Sequence, residues 1–318
     1  MILEACYFLV WLVVLSLAAD RFVFGASVLA KNIGVSPMII GLTIVAMGSS
    51  APEIMVAATA SFNGGTDTAV GNAIGSNITN IALVLGITAL LKPLSIASST
   101  LKKEMPLLLA VSLLAVYFLA DYELIRLEGI ILIVLFFVVI GALAWMSIHV
   151  EKGDPLQPEA ESEIPSGVST SKAVSWLIIG MILLPLSAYF MVQSAEIIAR
   201  HFGLSELVIG LTIIAIGTSL PELAACVAGV LKGEDDLALG NIIGSNIFNI
   251  LAVLAMPGLI APGVIDANAA TRDSYVMIGL TVLLLVFSFN IRGSRRINRV
   301  EGGCLIACFF GYQYLLFS

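Results

Sequence analysis

Two short polar segments interrupt otherwise apolar stretches of the sequence: "GSSAPE" at residues 48–53 and "GTSLPE" at residues 217–222. Each combines a glycine, two hydroxyl side chains, a proline and a glutamate, which are all unfavourable inside a buried apolar helix. Hydroxyl and carboxylate oxygens are hard donors, which suit Na⁺ or Ca²⁺ better than a transition metal. The residue types therefore predict cation binding.

The prolines predict a break in the helix that carries each segment. Pro52 removes its own N–H from the helical ladder and frees the carbonyl of Gly48, and Pro221 does the same for Gly217. In lipid, an unsatisfied carbonyl costs several kcal/mol, so a broken helix is tolerated only where it lines a cavity or meets a ligand. A single break of this kind is explained equally well as a packing device, but two at matched positions favour function.

The spacing brings the oxygen atoms onto common helix faces. Ser49 and Ser50 lie four and three residues before Glu53, and the second segment repeats this arrangement. The next apolar run of each half carries a serine and an asparagine four residues apart. The candidate side-chain ligands are Ser49, Ser50, Glu53, Ser76, Asn80, Thr218, Ser219, Glu222, Ser245 and Asn249.

Paired glycines lie on the same two runs as the serine–asparagine pairs. Gly71 with Gly75, and Gly240 with Gly244, form small-xxx-small surfaces on which a neighbouring helix can pack closely. We therefore expect these runs to contact the broken helices near the middle of the membrane.

The composition identifies an integral membrane protein. Of the 318 residues, 59% are hydrophobic and only 12% are charged, with a mean hydropathy of +1.05, whereas soluble proteins carry about 25% charged residues. The net charge of −7 does not indicate an acidic partner, because the sign differs from loop to loop. The cysteines show no metal-ligand spacing with either histidine. The bilayer and the transported ions are the expected partners, without nucleic acid.

Apolar runs predict ten membrane-spanning helices, five on each side of a Pro-, Ser- and Glu-rich linker at 149–172. The runs cover residues 2–30, 38–62, 69–91, 106–120, 128–148, 173–199, 207–231, 238–261, 274–290 and 302–317. The predicted fold class is all-α integral membrane, with helices 2, 3, 7 and 8 discontinuous. The domains are 1–148, with an α-repeat at 36–96, and 173–318, with an α-repeat at 205–265.

The two halves are related by an internal duplication. A shift of 169 residues aligns Ile40–Asn80 with Ile209–Asn249, and 21 of these 41 ungapped positions are identical. Because each unit has an odd number of helices, the second must enter the membrane from the opposite side, which makes the repeats inverted.

The basic residues orient the chain. With both termini outside, the cytoplasmic loops hold eleven Lys or Arg and the external loops hold three. The positive-inside rule therefore predicts external termini and a cytoplasmic linker.

The paired motifs "GSSAPE…GNAIGSNITNI" and "GTSLPE…GNIIGSNIFNI" resemble the two α-repeats of the cation/calcium exchanger (CaCA) superfamily, in particular the sodium/calcium exchangers. The resemblance covers practically the whole chain, and the short linker is most similar to the bacterial and archaeal, YrbG-like branch. It implies a cell inner-membrane antiporter in which the first and sixth helices slide against the others.

The resemblance also implies a role for each candidate ligand. Glu53 and Glu222 would be central carboxylates shared by Ca²⁺ and Na⁺, Ser49, Ser50, Thr218 and Ser219 would add hydroxyl oxygens, Ser76 and Ser245 would serve flanking sites, and Asn80 and Asn249 the central one. Ala46 and Ala215 would contribute main-chain carbonyls. Two departures matter: Ser49 replaces the commoner threonine, and Asn80 and Asn249 are neutral where some members carry aspartate.

We therefore expect a secondary antiporter, acting as a monomer and without a bound cofactor, that exchanges Ca²⁺ for Na⁺. A H⁺-coupled cation exchanger is the alternative within the same class, and K⁺ involvement stays open. A cation channel is the alternative from another class, whereas an intramembrane enzyme lacks a supporting motif. Asn77 and Asn246 are explained at least as well by interhelical hydrogen bonds, and Asp20 with Arg21 by a local polar pair.

Overall fold

The structure is a computed structural model that describes residues 2–35, 37–96, 103–148, 168–201, 215–288 and 296–317. It is mostly helical. The helices are α1 (Ile2–Ile33), α2 (Pro37–Ile40, Gly41–Val45 as a π-helical turn, and Ala46–Ser49), α3 (Ala51–Phe62), α4 (Thr66–Leu91), α5 (Glu104–Leu119), α6 (Arg126–Ile148), α7 (Thr170–His201), α8 (Ala215–Thr218), α9 (Leu220–Leu231), α10 (Asp235–Ile260), α11 (Ala269–Ser288) and α12 (Arg299–Phe317). The strands are β1 (Leu94–Ser95), β2 (Glu123–Leu124), β3 (Gly263–Val264) and β4 (Arg296–Ile297).

Among these residues, six helices are long and apolar enough to cross a membrane, and counting the bent pair α2–α3 as one span makes seven. The helices α5 and α9 are shorter and apolar. Residues 149–167 of the predicted linker and 205–214 of the predicted second α-repeat lie outside the described residues. The count of ten spans therefore stays a prediction.

Both motif segments interrupt their helices at the second hydroxyl residue. The α2 and α3 axes differ by 51° at Ser50, and Ser219 separates α8 from α9 with nearly the same backbone angles, φ −90° and ψ 5° against φ −85° and ψ 8° at Ser50. Pro52 and Pro221 lie in the first turn of the following helix. A backbone N–H at this position has no acceptor within the helix, so a proline there costs no helical hydrogen bond. The prolines thus end the preceding segments and begin the next ones.

The helices α4 and α10 are continuous, which differs from the predicted discontinuity of helices 3 and 8. Each contains one π-helical turn, at Asn80–Val84 and at Asn249–Val253. The physical reason is that residues 66–91 hold no proline and residues 235–260 hold one close to the end, at Pro257. A π-helical turn accommodates the local distortion without breaking the helix, and such turns are frequent at functional sites.

These two helices form the centre of the molecule. In the most apolar 18-residue window, α10 is 100% buried and α4 is 72% buried, whereas α1 and α7 are each 33% buried. Because the peripheral helices expose apolar side chains on their outer faces, the described part of the chain has the burial pattern expected for a protein surrounded by lipid.

Close glycine contacts join the first half of the broken helix to α10. A Cβ atom added at Gly244 would lie 2.5 Å from the Leu42 carbonyl oxygen, and one at Gly41 would lie 2.5 Å from that of Leu237. The predicted close packing is therefore present at Gly244, and Gly240 also contacts Gly41. The repeat equivalent of Gly41–Leu42, residues 210–211, lies outside the described residues. The predicted role of Gly71 and Gly75 is thus untested, although no described atom lies within 4 Å of either Cβ position.

The helices α1 and α7 pack against each other along most of their length. Gly25 approaches Ala173, Gly180 approaches Phe22, and Trp11 stacks on Phe190 with ring centroids 4.5 Å apart. A hydrophobic cluster built mainly from these two helices is separate from the larger cluster of the other helices.

The predicted local pair of Asp20 and Arg21 has a further partner. Their side chains lie 3.7 Å apart, but Asp20 Oδ1 also lies 2.8 Å from Lys232 Nζ, in the turn after α9. The pair is therefore part of a contact between α1 and the rest of the protein. Asp20 and Lys232 are far apart in the sequence, so the spacing of neighbouring residues did not predict this contact.

The strands repeat the internal symmetry of the sequence. The 169-residue shift maps β1 onto β3, and each pairs with the strand that precedes the last helix of the other half. Thus Leu94 pairs with Ile297, and Gly263 pairs with Leu124. These two antiparallel pairs join the end of α4 to the start of α12, and the end of α10 to the start of α6, so that the halves are interlocked.

Candidate cation site

The two motif glutamates lie inside the protein at the breaks of the second and seventh predicted spans. Glu53 and Glu222 are both fully buried, each in the first turn of the helix that follows a break. The central helices α4 and α10 pack against these segments. The fold therefore brings together the four elements that carry the candidate ligands.

Glu222 is held by hydroxyl groups. Its Oε1 accepts a hydrogen bond of 3.0 Å from Ser50 Oγ, across the two halves of the chain, and a longer one of 3.5 Å from Ser245 Oγ on α10. Its Oε2 is buried and has no partner among the described residues. One oxygen is thus oriented by serines while the other stays open to a ligand.

Glu53 has a different environment from Glu222. Neither of its carboxylate oxygens has a hydrogen-bond partner in the described part of the chain, although both are buried. Its main-chain carbonyl accepts a hydrogen bond of 3.0 Å from Asn72 Nδ2 on α4. A buried carboxylate without donors requires compensation from a cation or a proton.

Ser49 connects the first break to α10. Its hydroxyl donates to Asn241 Oδ1 at 3.0 Å and lies 3.4 Å from Ser245 Oγ. It also lies 3.4 Å from the main-chain oxygen of Ala46, which accepts 2.9 Å from the Ser50 amide. These contacts place three oxygen atoms of the predicted ligand set within one small region.

The remaining predicted ligands lie on the central helices α4 and α10 or at the second break. Asn80 and Asn249 begin the π-helical turns of α4 and α10, are fully buried, and have amide atoms without partners among the described residues. The Ser219 hydroxyl is likewise buried without a described partner. Ser76 is buried on α4, whereas Thr218 is only partly buried. Ala215 begins α8, in the segment that precedes the second break.

The two carboxylates are both fully buried, and they would repel each other when both are ionised because they carry like charges. Neither forms an ion pair with a basic side chain in the ranges that the structure describes. Those ranges also contain no group of three His, Cys, Asp or Glu residues with metal-binding geometry. What the site offers is two carboxylates among neutral hydroxyl, amide and main-chain oxygens, which is a donor set for a hard cation.

Three residues of the site were not among those predicted: Asn72, Asn241 and Cys226. Asn72 and Asn241 occupy equivalent positions of the repeat, each four residues before the serine of its helix. That spacing puts them on the ligand face of α4 and α10, and it was a signal available in the sequence. Cys226 has Ala57 as its equivalent, so the repeat gives no indication of its role.

Comparison with known proteins relates this chain to ion exchangers. The sequence profile of a family described as "Sodium/calcium exchanger protein" matches residues 3–145 and 172–318. The chain is 59% identical to the "Putative antiporter CaxA" of Alkalimonas amylolytica, over 100% of both chains. It is 41% identical to the "Inner membrane protein YrbG" of Escherichia coli, over 100% of this chain and 98% of that protein.

A solved structure has the same overall fold. The sodium-calcium exchanger NCX_Mj, soaked with 2.5 mM Na⁺ and 0.1 mM Ca²⁺, superposes with a TM-score of 0.83 at 31% identity. The alignment covers 98% of this chain and 97% of that one.

Proposed function

Because the chain belongs to the sodium/calcium exchanger protein family, we propose that it is a secondary antiporter that exchanges Ca²⁺ for Na⁺ by alternating access. Members of this family exchange cations, Ca²⁺ among them, across membranes. The finer proposal is that the ions bind between Glu53 and Glu222, in the middle of the bilayer.

A single observation carries this proposal. Two fully buried carboxylates, one from each half of the chain, present oxygen atoms that have no hydrogen-bond partner among the described residues. Burying such charges is costly unless they are paired. A cation between them would remove that cost and their mutual repulsion together.

The same oxygens would serve both ions. A Ca²⁺ ion balances two carboxylates, and Na⁺ ions would need the same carboxylate oxygens, so the two kinds of ion would exclude each other. The proposed additional ligands are Ser49, Ser50, Ser76, Asn80, Thr218, Ser219, Ser245 and Asn249, with the main-chain oxygens of Ala46 and Ala215. An empty site with two bare carboxylates would resist crossing the apolar barrier, which would prevent ion leak.

The proposed architecture has ten spans in two inverted five-helix repeats, 1–148 and 173–318, as a monomer in a bacterial or archaeal inner membrane. Both termini would lie outside and the linker at 149–172 in the cytoplasm. The arrangement is supported by the excess of basic residues in one set of loops and by the repeat symmetry of β1 and β3.

Proton coupling is the second candidate, and the environment of Glu53 favours it. A buried carboxyl group that receives no hydrogen bond can be kept as the neutral acid, so that a proton replaces Na⁺ as the counter-ion. The neutral amides at Asn80 and Asn249 leave the site with two carboxylates, which also keeps this candidate open.

The test is ⁴⁵Ca²⁺ uptake into proteoliposomes loaded with Na⁺, with and without an outward Na⁺ gradient. We expect gradient-dependent uptake that is lost in Glu53→Gln and in Glu222→Gln. The matched control is Glu123→Gln, which removes a carboxylate from an exposed strand position and should transport like the wild type.

Other outcomes would contradict the proposal in distinguishable ways. Uptake that is indifferent to Na⁺ but driven by a pH gradient would establish proton coupling instead. Ca²⁺ flux that needs no counter-ion would indicate a channel. Absence of Ca²⁺ flux under either gradient would mean that another cation is transported.

A further inference from the structure

The side chain of Asn241 joins three elements beside the proposed site. On α10, its Oδ1 accepts 3.0 Å from Ser49 Oγ at the first break, and its Nδ2 donates to Cys226 Sγ on α9 at 3.4 Å. The Cys226 thiol in turn donates to the main-chain oxygen of Ala238 at 3.5 Å. All three side chains are fully buried.

The directions of these bonds are consistent with one orientation of the amide. Because the thiol hydrogen of Cys226 is directed at Ala238, its sulfur is available to accept from the Asn241 amide nitrogen. The amide oxygen then faces Ser49 and accepts the hydroxyl proton. If the amide were turned around, its N–H would donate to the Ser49 oxygen and occupy a lone pair that a cation needs.

The orientation of Ser49 matters because its oxygen lies beside that of Ser245. The two hydroxyl oxygens are 3.4 Å apart, within hydrogen-bond reach of each other, and the Ser245 proton has a second acceptor in Glu222 Oε1 at 3.5 Å. Two oxygens bound at right angles to a cation at about 2.4 Å would be about 3.4 Å apart. When Ser49 donates to Asn241 and Ser245 donates to Glu222, both oxygens can face one ion.

The first half of the chain lacks this arrangement. Ala57 stands at the position equivalent to Cys226 and has no polar side-chain atom. Asn72, the equivalent of Asn241, instead donates its Nδ2 to the Glu53 main-chain oxygen. Because Ala57 replaces the cysteine, only the side of the site formed by Ser49 and Ser245 has an asparagine that a thiol can orient.

We propose that Asn241, oriented by Cys226, is a positioning residue that turns the Ser49 hydroxyl into a cation ligand and thereby sets the cation affinity of the Ser49–Ser245 side of the site. This inference rests on the proposed function. Asn241 would not contact the ion itself. It would determine whether the oxygen or the proton of the Ser49 hydroxyl faces the ion.

The test measures cation binding to the purified full-length protein by titration calorimetry, with Ca²⁺ and with Na⁺. The variants are Cys226→Ala, Cys226→Ser and Ser49→Ala, together with the double variant Cys226→Ala/Ser49→Ala. The control is Cys308→Ala, which removes a thiol from α12, a helix that carries none of Ser49, Asn241 and Cys226.

We expect Cys226→Ala to weaken binding of at least one of the two cations about three- to tenfold, as the loss of one hydrogen bond would. Cys226→Ser should bind like the wild type, because a hydroxyl can also donate to Ala238 and accept from Asn241. In the Ser49→Ala background, Cys226→Ala should cause no further loss, since the effect passes through Ser49.

Two results would overturn the inference. If Cys226→Ala binds both cations like the wild type, or if its effect adds in full to that of Ser49→Ala, then Asn241 does not act through Ser49, while the proposed antiport stands. If the wild type binds neither Ca²⁺ nor Na⁺, the proposed function fails, and the inference fails with it. A purely structural defect would weaken the binding of both cations. In the double variant, the losses of the two single variants would then add in full.

Discussion

At the scale of single residues, the two equivalent glutamates differ in their hydrogen bonds. Glu222 accepts from Ser50 and Ser245, whereas the carboxylate of Glu53 accepts from no described residue. Ser219, the equivalent of Ser50, has no described partner for its hydroxyl. The proposed inverted-repeat transporter would have unlike halves in any one state, because opening to one side makes the two halves adopt different conformations.

This difference predicts unequal effects of removing the two equivalent serines. Ser50→Ala should lower the free energy of unfolding of the cation-free protein by about 1.5–3 kcal/mol, the value of a hydrogen bond to a charged group. Ser219→Ala, the matched variant, should have a smaller effect. The measurement is chemical denaturation in detergent without added cations, and equal losses would contradict the prediction.

Asn249 allows the number of charges in the site to be changed. Asn249→Asp would add a third buried carboxylate, at a cost of about 2.5–3.5 kcal/mol for an unpaired charge in the membrane. We expect a lower melting temperature without cations and a larger rise in melting temperature on adding Na⁺ or Ca²⁺ than in the wild type. Asn249→Ala is the neutral control, and an unchanged cation dependence in Asn249→Asp would count against a role of this position in the site.

At the scale of elements, the site depends on how closely the first broken helix approaches α10. The main chains of these helices meet at Gly41 and Gly244, where no other side chain could be accommodated without movement. This contact brings Ser49 within reach of Asn241 and Ser245. Glycine is therefore required here for close approach, as the small-xxx-small spacing predicted for α10.

The close contact at Gly244 can be tested with a single methyl group. Gly244→Ala would place a Cβ atom 2.5 Å from the Leu42 carbonyl oxygen, so we expect a destabilisation of about 1–3 kcal/mol by overpacking, with loss of transport. Gly311→Ala is the control, because that helical glycine is exposed and has no described atom within 4 Å of the Cβ position. The control should be neutral or stabilising, since alanine favours helix. Denaturation midpoints and ⁴⁵Ca²⁺ uptake measure both effects.

At the scale of the whole molecule, the interlocked strands offer a test of the inverted arrangement. Ser95 and Val264 are equivalent by the 169-residue shift, both are exposed, and they lie in different strand pairs. If the repeats are inverted, these two positions are on opposite sides of the membrane.

Labelling of introduced cysteines would measure this. In right-side-out vesicles, a membrane-impermeant maleimide should modify Val264→Cys directly and Ser95→Cys only after permeabilisation. Variants that lack Cys6 and Cys304 should serve as the background, because both cysteines are exposed. Modification of both positions from the same side would disprove the inversion, and the reverse pattern would disprove the orientation while preserving the inversion.

The sequence determined the class of protein, the duplication, the two breaks and the candidate oxygens, because all of these are expressed in composition or in the spacing of neighbouring residues. The helix periodicity also placed Ser76 with Asn80, and Ser245 with Asn249, on one face of their helices. It placed Ser49 on a common face with Glu53 as well, but the break at Ser50 separates these two residues into different helices. The family followed from the same two motifs, and the comparisons confirmed it.

Only the tertiary structure decided how the oxygens are partnered. Ser50 meets Glu222 across 172 residues of chain, and Ser49 meets Asn241 across 192. The contact of Asp20 with Lys232 was likewise absent from the sequence pattern. The physical reason is that local spacing reports which side chains share a helix face, whereas hydrogen-bond partners between halves depend on how the helices pack, to within a fraction of an ångström.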